Sequence, residues 1–295
     1  MDIVIGKTAG FCFGVKRAVE GSLNQITNNL NNKKIYCLGE LVHNKQVMEE
    51  LENKGIKLIE DINKMNNNSK VIIRAHGIKK EIYEVLTNKQ IELVDYTCPN
   101  VLKIHEIASK YTEEGYYIFV IGNKLHPETI GTISYCGINY SIIENEEDIL
   151  QSITNFENSN TKKVLIIVQT TYSEIKYKSL IEKIQNSINK DINMVIKNTI
   201  CAATSLRQKE TEELSKKVDC MIIIGGKNSS NTKKLFEIAT NNCQKAFLIE
   251  TKNELNTNIL KQYNKIGIMA GASTPKKNID EVVNVLNENK EEYNV

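Results

Sequence analysis

The sequence predicts an α/β fold of three similar domains, mainly parallel sheet, in a pseudo-threefold arrangement around one central site. Three observations carry that expectation. Short β-rich apolar runs alternate with helical patterns along all 295 residues, which is the pattern of βα units. One order of elements recurs three times, although residue identity between the copies is slight. Each copy also sets a cysteine where a strand gives way to a helix.

The first element of each copy is a strand that runs into a cysteine and then a helix: DIVIGKTAGFCFGVKRAVE, IELVDYTCPNVLKIHEIASK and MVIKNTICAATSLRQKETEELSKK. Cys12, Cys98 and Cys201 hold equivalent places. Pro99, directly after Cys98, suits the first turn of a helix, where a missing N–H costs nothing. The second element is a strand, a loop opened by glycine, and a helix. Four residues beyond Gly39, Gly122 and Gly226 stand His43, His126 and Ser230. A third apolar strand follows in IKLIEDI, YSIIENEEDI and AFLIETKNEL. The fourth element is strand, polar tip, helix, and its tips carry His76, Thr170 with Thr171, and Ser273 with Thr274.

This order divides the chain into 1–97 with Cys12, 98–200 with Cys98, and 201–295 with Cys201 and a C-terminal tail. A second division gives the strand before each cysteine to the preceding sheet, so that residues 1–12 complete the third domain. Open parallel sheets bind ligands beyond the carboxyl ends of their strands, where helix N-termini also point. All the residues singled out lie at such ends, so the repeat predicts three thiols and a set of His, Ser and Thr side chains gathered at one place.

Composition narrows the function. Hydrophobic residues make up 41% and charged residues 25%, with a formal net charge of +2 spread along the chain, which offers no nucleic-acid surface. The N-terminus lacks the pattern of a signal peptide, and no apolar run reaches the length of a bilayer span. A cytoplasmic chain is expected, with its seven cysteines reduced and no disulfide framework. A GxxxxGK[ST] loop, an aspartate-rich magnesium motif and GxGxxG are all missing, which counts against nucleotide hydrolysis, metal-bridged prenyl transfer and bound NAD or flavin. Electrons would then come from a protein donor.

A helix N-terminus favours the thiolate, the form that binds metal, and thiolates suit zinc, copper(I) and iron–sulfur clusters. Three of them satisfy three irons of a four-iron cluster and leave the fourth open to substrate. Gly10 and Gly14 beside Cys12 allow close backbone approach. Cys37, Cys136, Cys220 and Cys243 have no counterparts in the other copies, and Cys37 and Cys220 read as core residues within strands. His43, His76 and His126 at the tips, with Ser229, Ser230 and Asn231 opening a helix, describe a donor-rich pocket for an anion such as a diphosphate. His105, in a helical run without a counterpart, reads as a buried structural side chain. Glu128, two residues after His126, reads as a proton donor with a raised pKa, or else as a first-turn glutamate stabilising its helix. Two other classes compete: a non-catalytic iron–sulfur sensor or scaffold of the same fold, and a structural zinc protein using three thiols and a histidine.

The segments GFCFGVKRAV, GELVHNKQV, RAHG, TCPNVLKIH, HPETIG, QTTYS, ICAATSLRQ, GGKNSSN and AGASTP run in order from residue 10 to 275. As a set they resemble the 4-hydroxy-3-methylbut-2-enyl diphosphate reductases, the LytB-type iron–sulfur enzymes that end the non-mevalonate isoprenoid pathway. The resemblance implies that Cys12, Cys98 and Cys201 hold one [4Fe-4S] cluster and that His43, His76, His126, Ser229, Ser230, Asn231 and Ser273 bind the diphosphate. It implies Glu128 as the proton-delivering residue and Thr170 as the threonine near the substrate's hydroxyl end, with Thr171 second to it. The reaction implied is a two-electron reductive dehydroxylation giving isopentenyl and dimethylallyl diphosphate, with ferredoxin or flavodoxin as donor. A site assembled within one chain makes a monomer the default. Met269 departs from the pattern, standing in GIMAGASTP where a small polar residue is expected.

Overall fold

The computed structural model describes residues 1–291; residues 292–295 of the C-terminal tail assigned to the third repeat lie outside them. The chain opens with β1 (Asp2–Ile5) and α1 (Phe13–Thr27), followed by β2 (Lys34–Leu38), α2 (Lys45–Asn53), β3 (Ile56–Ile59), β4 (Ser69–Ile73), α3 (Lys80–Asn88) and β5 (Glu92–Asp95). It continues through α4 (Pro99–Glu113), β6 (Tyr117–Ile121), α5 (Pro127–Ile133), β7 (Tyr140–Ile143), α6 (Asp148–Glu157), β8 (Lys163–Val168), α7 (Glu174–Ser187) and β9 (Asn193–Ile196). The last stretch holds α8 (Ala202–Ser215), β10 (Cys220–Ile224), α9 (Ser230–Asn242), β11 (Lys245–Ile249), α10 (Thr257–Leu260), β12 (Lys265–Ala270) and α11 (Lys276–Glu291).

These strands form three four-stranded sheets of one topology, in the orders β3-β2-β4-β5, β7-β6-β8-β9 and β11-β10-β12-β1, with every pairing parallel. The predicted α/β class with three parallel sheets is therefore what the chain adopts. The strand ahead of each repeat cysteine lies at a sheet edge. β5, before Cys98, pairs with β4 from Lys70↔Glu92 to Ile73↔Asp95, and β9, before Cys201, pairs with β8. β1, before Cys12, pairs with β12 from Asp2↔Lys265 to Ile5↔Ile268. Order along the chain groups β1 with residues up to 97; strand pairing groups it with 220–270. The physical reason is edge vacancy: β5 occupies the edge beside β4, whereas the edge beside β12 is free to take the N-terminal strand.

By packing, the chain divides into two compact units. The smaller comprises Met1–Lys16, Val42–Glu50 and the segment from Ala202 onward; the larger comprises Arg17–Leu41 and Leu51–Cys201. The smaller unit contains the β11-β10-β12-β1 sheet. On one face Cys220, Ile222, Ile224, Ile266, Ile268 and Ala270 meet Ile279, Val282 and Leu286 of α11. On the other, Met221, Ile223 and Met269 meet Leu214 of α8 and Leu235 and Ala239 of α9. Helices on both faces explain why β10 and β12 are apolar without alternation, as buried parallel strands are. The larger unit contains the other two sheets, whose central strands β4, β6 and β8 are buried in the same way. Among the described residues no helix is long and apolar enough to cross a membrane.

Met269 is fully buried, and a Cβ added at Gly6 would lie 2.0 Å from its sulfur. The long side chain rests on the glycine at the end of β1, filling the space that a small polar residue would leave. Met269→Ala is expected to destabilise the protein by about 2–5 kcal/mol, and the volume-conserving Met269→Leu by less than about 1.5 kcal/mol. Urea unfolding of the two variants checks this; equal losses would contradict the packing account.

Candidate active site

The three repeat cysteines share one backbone device. Cys12 directly precedes α1, Cys98 is the N-cap of α4, and Cys201 directly precedes α8. Each donates its N–H to a carbonyl at the tip of the strand beside its own: Cys12 to Ala272 at 3.1 Å, Cys98 to Ala75 at 3.0 Å and Cys201 to Thr170 at 3.0 Å. The residues after those carbonyls are Ser273, His76 and Thr171, so the polar tips of the repeat are tied to the cysteines by one covalent step.

None of the seven cysteines forms a disulfide, and the three repeat cysteines are half-buried. Cys37, Cys136 and Cys220 are fully buried, and burial pushes each thiol up to about 12, so they stay protonated core residues. In the larger unit, Asn100 Nδ2, two residues beyond Cys98, donates to Cys201 Sγ at 3.2 Å. The first turn of α4 and the Cys201 sulfur are thus neighbours.

The larger unit also gathers His76, His126, Glu128 and Thr170. The rings of His76 and His126 meet edge to face, with centroids 5.4 Å apart. His126 caps α5, its Nδ1 accepting the Glu128 N–H at 3.2 Å, so a neutral ring carries its hydrogen on Nε2. The Glu128 carboxyl is only 2% exposed. Its two oxygens accept the Thr170 N–H and the Thr170 hydroxyl, each at 2.6 Å. Burial drives its pKa up to about 7 against the lowering effect of both hydrogen bonds. Because the Thr170 carbonyl holds Cys201, a single residue connects the buried acid to a repeat cysteine.

The smaller unit gathers His43, Ser229, Ser230, Asn231 and Ser273. Ser273 Oγ donates to the His43 carbonyl at 3.1 Å. A Cβ at Gly226 would lie 2.4 Å from that same carbonyl oxygen, so only glycine lets the GGKNSSN loop pass this close. Ser229 caps α9, accepting the Thr232 N–H. Asn231 is 3% exposed, and neither amide atom has a partner among the described residues. Buried amides are ordinarily hydrogen-bonded, so this one is an exception within the fold. The repeat register differs by one residue from the count along the sequence. Gly225 donates to Ile249 as Gly39 does to Ile59 and Gly122 to Ile143, which makes Ser229, not Ser230, the counterpart of His126.

His105 is buried against Tyr135, the rings stacked 4.2 Å apart, and burial lowers its pKa to about 4, so it is a neutral structural residue. Thr274 is fully buried and donates to the Ile224 carbonyl, pinning the β12 tip to β10. Thr171 accepts a hydrogen bond from Gln169 Nε2. Sequence reasoning passed over Arg17, Asn100, Arg207 and Glu210, all of which bond to cysteine-bearing segments. A signal existed: arginine occurs only at 17, 74 and 207 among 38 basic residues.

The family model of the LytB protein matches residues 3–287. The 4-hydroxy-3-methylbut-2-enyl diphosphate reductase of Clostridioides difficile (strain 630) is 43% identical over 286 residues, covering 97% of this chain and 99% of the relative. A solved structure of (E)-4-hydroxy-3-methyl-but-2-enyl diphosphate reductase, described as the terminal enzyme of the non-mevalonate pathway, superposes with a TM-score of 0.71 at 37% identity over 98% of this chain and 100% of its own. The reductase structure from Plasmodium falciparum gives a TM-score of 0.88 at 33% identity, covering 97% of this chain and 87% of that one.

The raised Glu128 pKa sets a pH dependence. The folded protein holds this proton more tightly than the unfolded chain, so the contribution to stability is complete below the ordinary carboxyl value of 4.5 and is lost as pH rises to about 7. Measured against Glu128→Gln by urea unfolding, wild-type stability is expected to decline across that interval and then level off. A difference between the two proteins that does not change with pH would contradict the assignment.

Proposed function

The chain belongs to the LytB protein family, and on that premise we propose that it reduces 4-hydroxy-3-methylbut-2-enyl diphosphate to isopentenyl and dimethylallyl diphosphate. The observation that carries this reading is the buried Glu128 carboxyl, with its pKa near 7, tied through Thr170 to the Cys201 segment. A carboxyl so tuned is a proton donor at neutral pH, and its place beside a thiol site suits a reaction that takes both protons and electrons.

Cys12, Cys98 and Cys201 are the residues that would hold a [4Fe-4S] cluster. Their chemistry fits one: three half-buried cysteines at helix starts, none of them in a disulfide, whereas the core cysteines are locked as thiols. When bound, such a cluster with three protein ligands supplies single electrons and one open, Lewis-acidic iron. His43, His76, His126, Ser229, Ser230, Asn231 and Ser273 bind the diphosphate. In this role Asn231 acquires the partners that its buried amide lacks, and the start of α9 offers backbone N–H groups to the anion.

Thr170 orients the substrate hydroxyl, and Glu128 holds the proton. With the carboxyl protonated, its O–H can donate to Thr170 Oγ1, which turns the threonine hydrogen toward the leaving oxygen. In the net reaction the C–O bond breaks, two electrons and two protons enter, water departs and a C–H bond forms. A ferredoxin- or flavodoxin-type protein supplies the electrons. The reading assumes a cytoplasmic monomer with three α/β repeats, divided near residues 97 and 200.

Protein purified without oxygen is expected to be brown, with about four irons and four sulfides per chain, and to release both isoprenoid diphosphates when given substrate and a one-electron reductant. Colourless zinc-loaded protein, or a cluster that is reduced without product release, would overturn the proposal. Cys98→Ser is expected to lose the cluster. Glu128→Gln is expected to keep the cluster and bind substrate while turnover falls at least about 10²-fold, as loss of a positioned proton donor does; near-normal rates in this variant would remove Glu128 from the mechanism.

A further inference from the structure

The helix that leaves each repeat cysteine carries a side chain that holds the segment of another. In α1, which follows Cys12, Arg17 donates through Nη1 to the Thr97 carbonyl at 3.0 Å and through Nη2 to the Asp95 carbonyl at 3.2 Å, on the two sides of Tyr96 and immediately ahead of Cys98. Its guanidinium lies over the Tyr96 ring, 5.6 Å from the centroid. In α4, which follows Cys98, Asn100 donates to the Cys201 sulfur at 3.2 Å. In α8, which follows Cys201, Arg207 donates through Nε to the Thr8 carbonyl and through Nη2 to the Gly10 carbonyl, both at 2.9 Å, immediately ahead of Cys12.

Arg207 is 3% exposed and also donates from Nη1 to the Ala203 carbonyl at 3.1 Å, two residues after Cys201. One guanidinium therefore joins the turn that leaves Cys201 to the loop that enters Cys12. Glu210, one turn further along α8, accepts the N–H groups of Lys7 at 2.6 Å and Thr8 at 2.8 Å and so holds the same loop from its donor side. Gly10 within that loop has φ +99°, a conformation that the paired bonds from α8 keep fixed.

Lysine could not do this. An ammonium is a point charge, whereas the planar guanidinium presents a fork of N–H groups that spans two carbonyls with one residue between them. Arginine appears at only three positions among 38 basic residues, and two of the three are these forks. The third, Arg74, donates to the Gly77 carbonyl in the tip that carries His76.

We propose that Arg17 and Arg207 are positioning residues for the metal-binding thiolates, Arg17 fixing Cys98 and Arg207 fixing Cys12, so that release of either fork loosens the bound cluster without unfolding the chain. The inference rests on the reading that Cys12, Cys98 and Cys201 hold a [4Fe-4S] cluster. Its test is the rate at which the intact holoenzyme, kept without oxygen, gives up iron to a chelator, read beside the thermal midpoint of the same sample. Arg207→Gln and Arg17→Gln are compared with Leu86→Ala, a truncation in a buried cluster that includes no residue adjacent to Cys12, Cys98 or Cys201.

Each Gln variant is expected to lose iron about tenfold faster or more, the effect of removing one charge-assisted hydrogen bond. Leu86→Ala is expected to lower the midpoint while its iron loss stays near the wild-type rate. Arg→Lys at either position is expected to fall between wild type and Gln, because charge returns without the fork. Iron loss in both Gln variants at the rate of Leu86→Ala would overturn the proposal. Wild-type protein lacking the cluster would instead overturn the reading beneath it, and the two failures are told apart by the iron content of the wild-type sample.

Discussion

Three backbone hydrogen bonds hold the architecture to its chemistry: the N–H groups of Cys12, Cys98 and Cys201 donating to Ala272, Ala75 and Thr170. Each bond joins the segment that follows an edge strand to the tip of the neighbouring strand, so the backbone of each cysteine is tied to its sheet. Parallel sheets make this possible, because all their strands finish at one end and the helix that follows begins there. The apolar strands β4, β8 and β12 are in this sense the support of the site. Backbone pairing with their neighbours fixes where the tip carbonyls lie, and the tip residues that follow, His76, Thr171 and Ser273, inherit that placement.

The same tips carry the electrostatics. A carboxyl buried as Glu128 is would ordinarily be costly to ionise, and the two hydrogen bonds from Thr170 recover only part of that cost. What remains is an acid whose pKa lies near neutrality, set by desolvation more than by any neighbouring charge. The smaller unit holds a different imbalance, the buried Asn231 amide without partners among the described residues.

Much of this was legible in the order of residues. The cysteines precede helices because Phe13, Pro99 and Ala202 begin them, and the three polar tips follow apolar runs long enough to be read as buried strands. Less legible was anything fixed by pairing over long distances. Nothing in DIVI says that it adds to β12, 263 residues away along the chain; that depends on which sheet edge is vacant once the others have formed. The one-residue register difference at Gly225 has a similar origin, since GG offers two glycines and only the hydrogen bond to Ile249 selects the first. The roles of Arg17 and Arg207 were hidden because a helical arginine reads as solvated surface until its carbonyl partners are known. Met269, out of place by sequence pattern, is explained by its contact with Gly6.

The central claim is that sulfurs supplied by three distant segments bind one inorganic core, and diffraction from oxygen-free crystals at the iron absorption edge tests it most directly. The account predicts a single compact iron peak bonded to the Sγ atoms of Cys12, Cys98 and Cys201, with one iron lacking a protein ligand. Iron bound at only two of these sulfurs, or at any of Cys37, Cys136, Cys220 or Cys243, would contradict it.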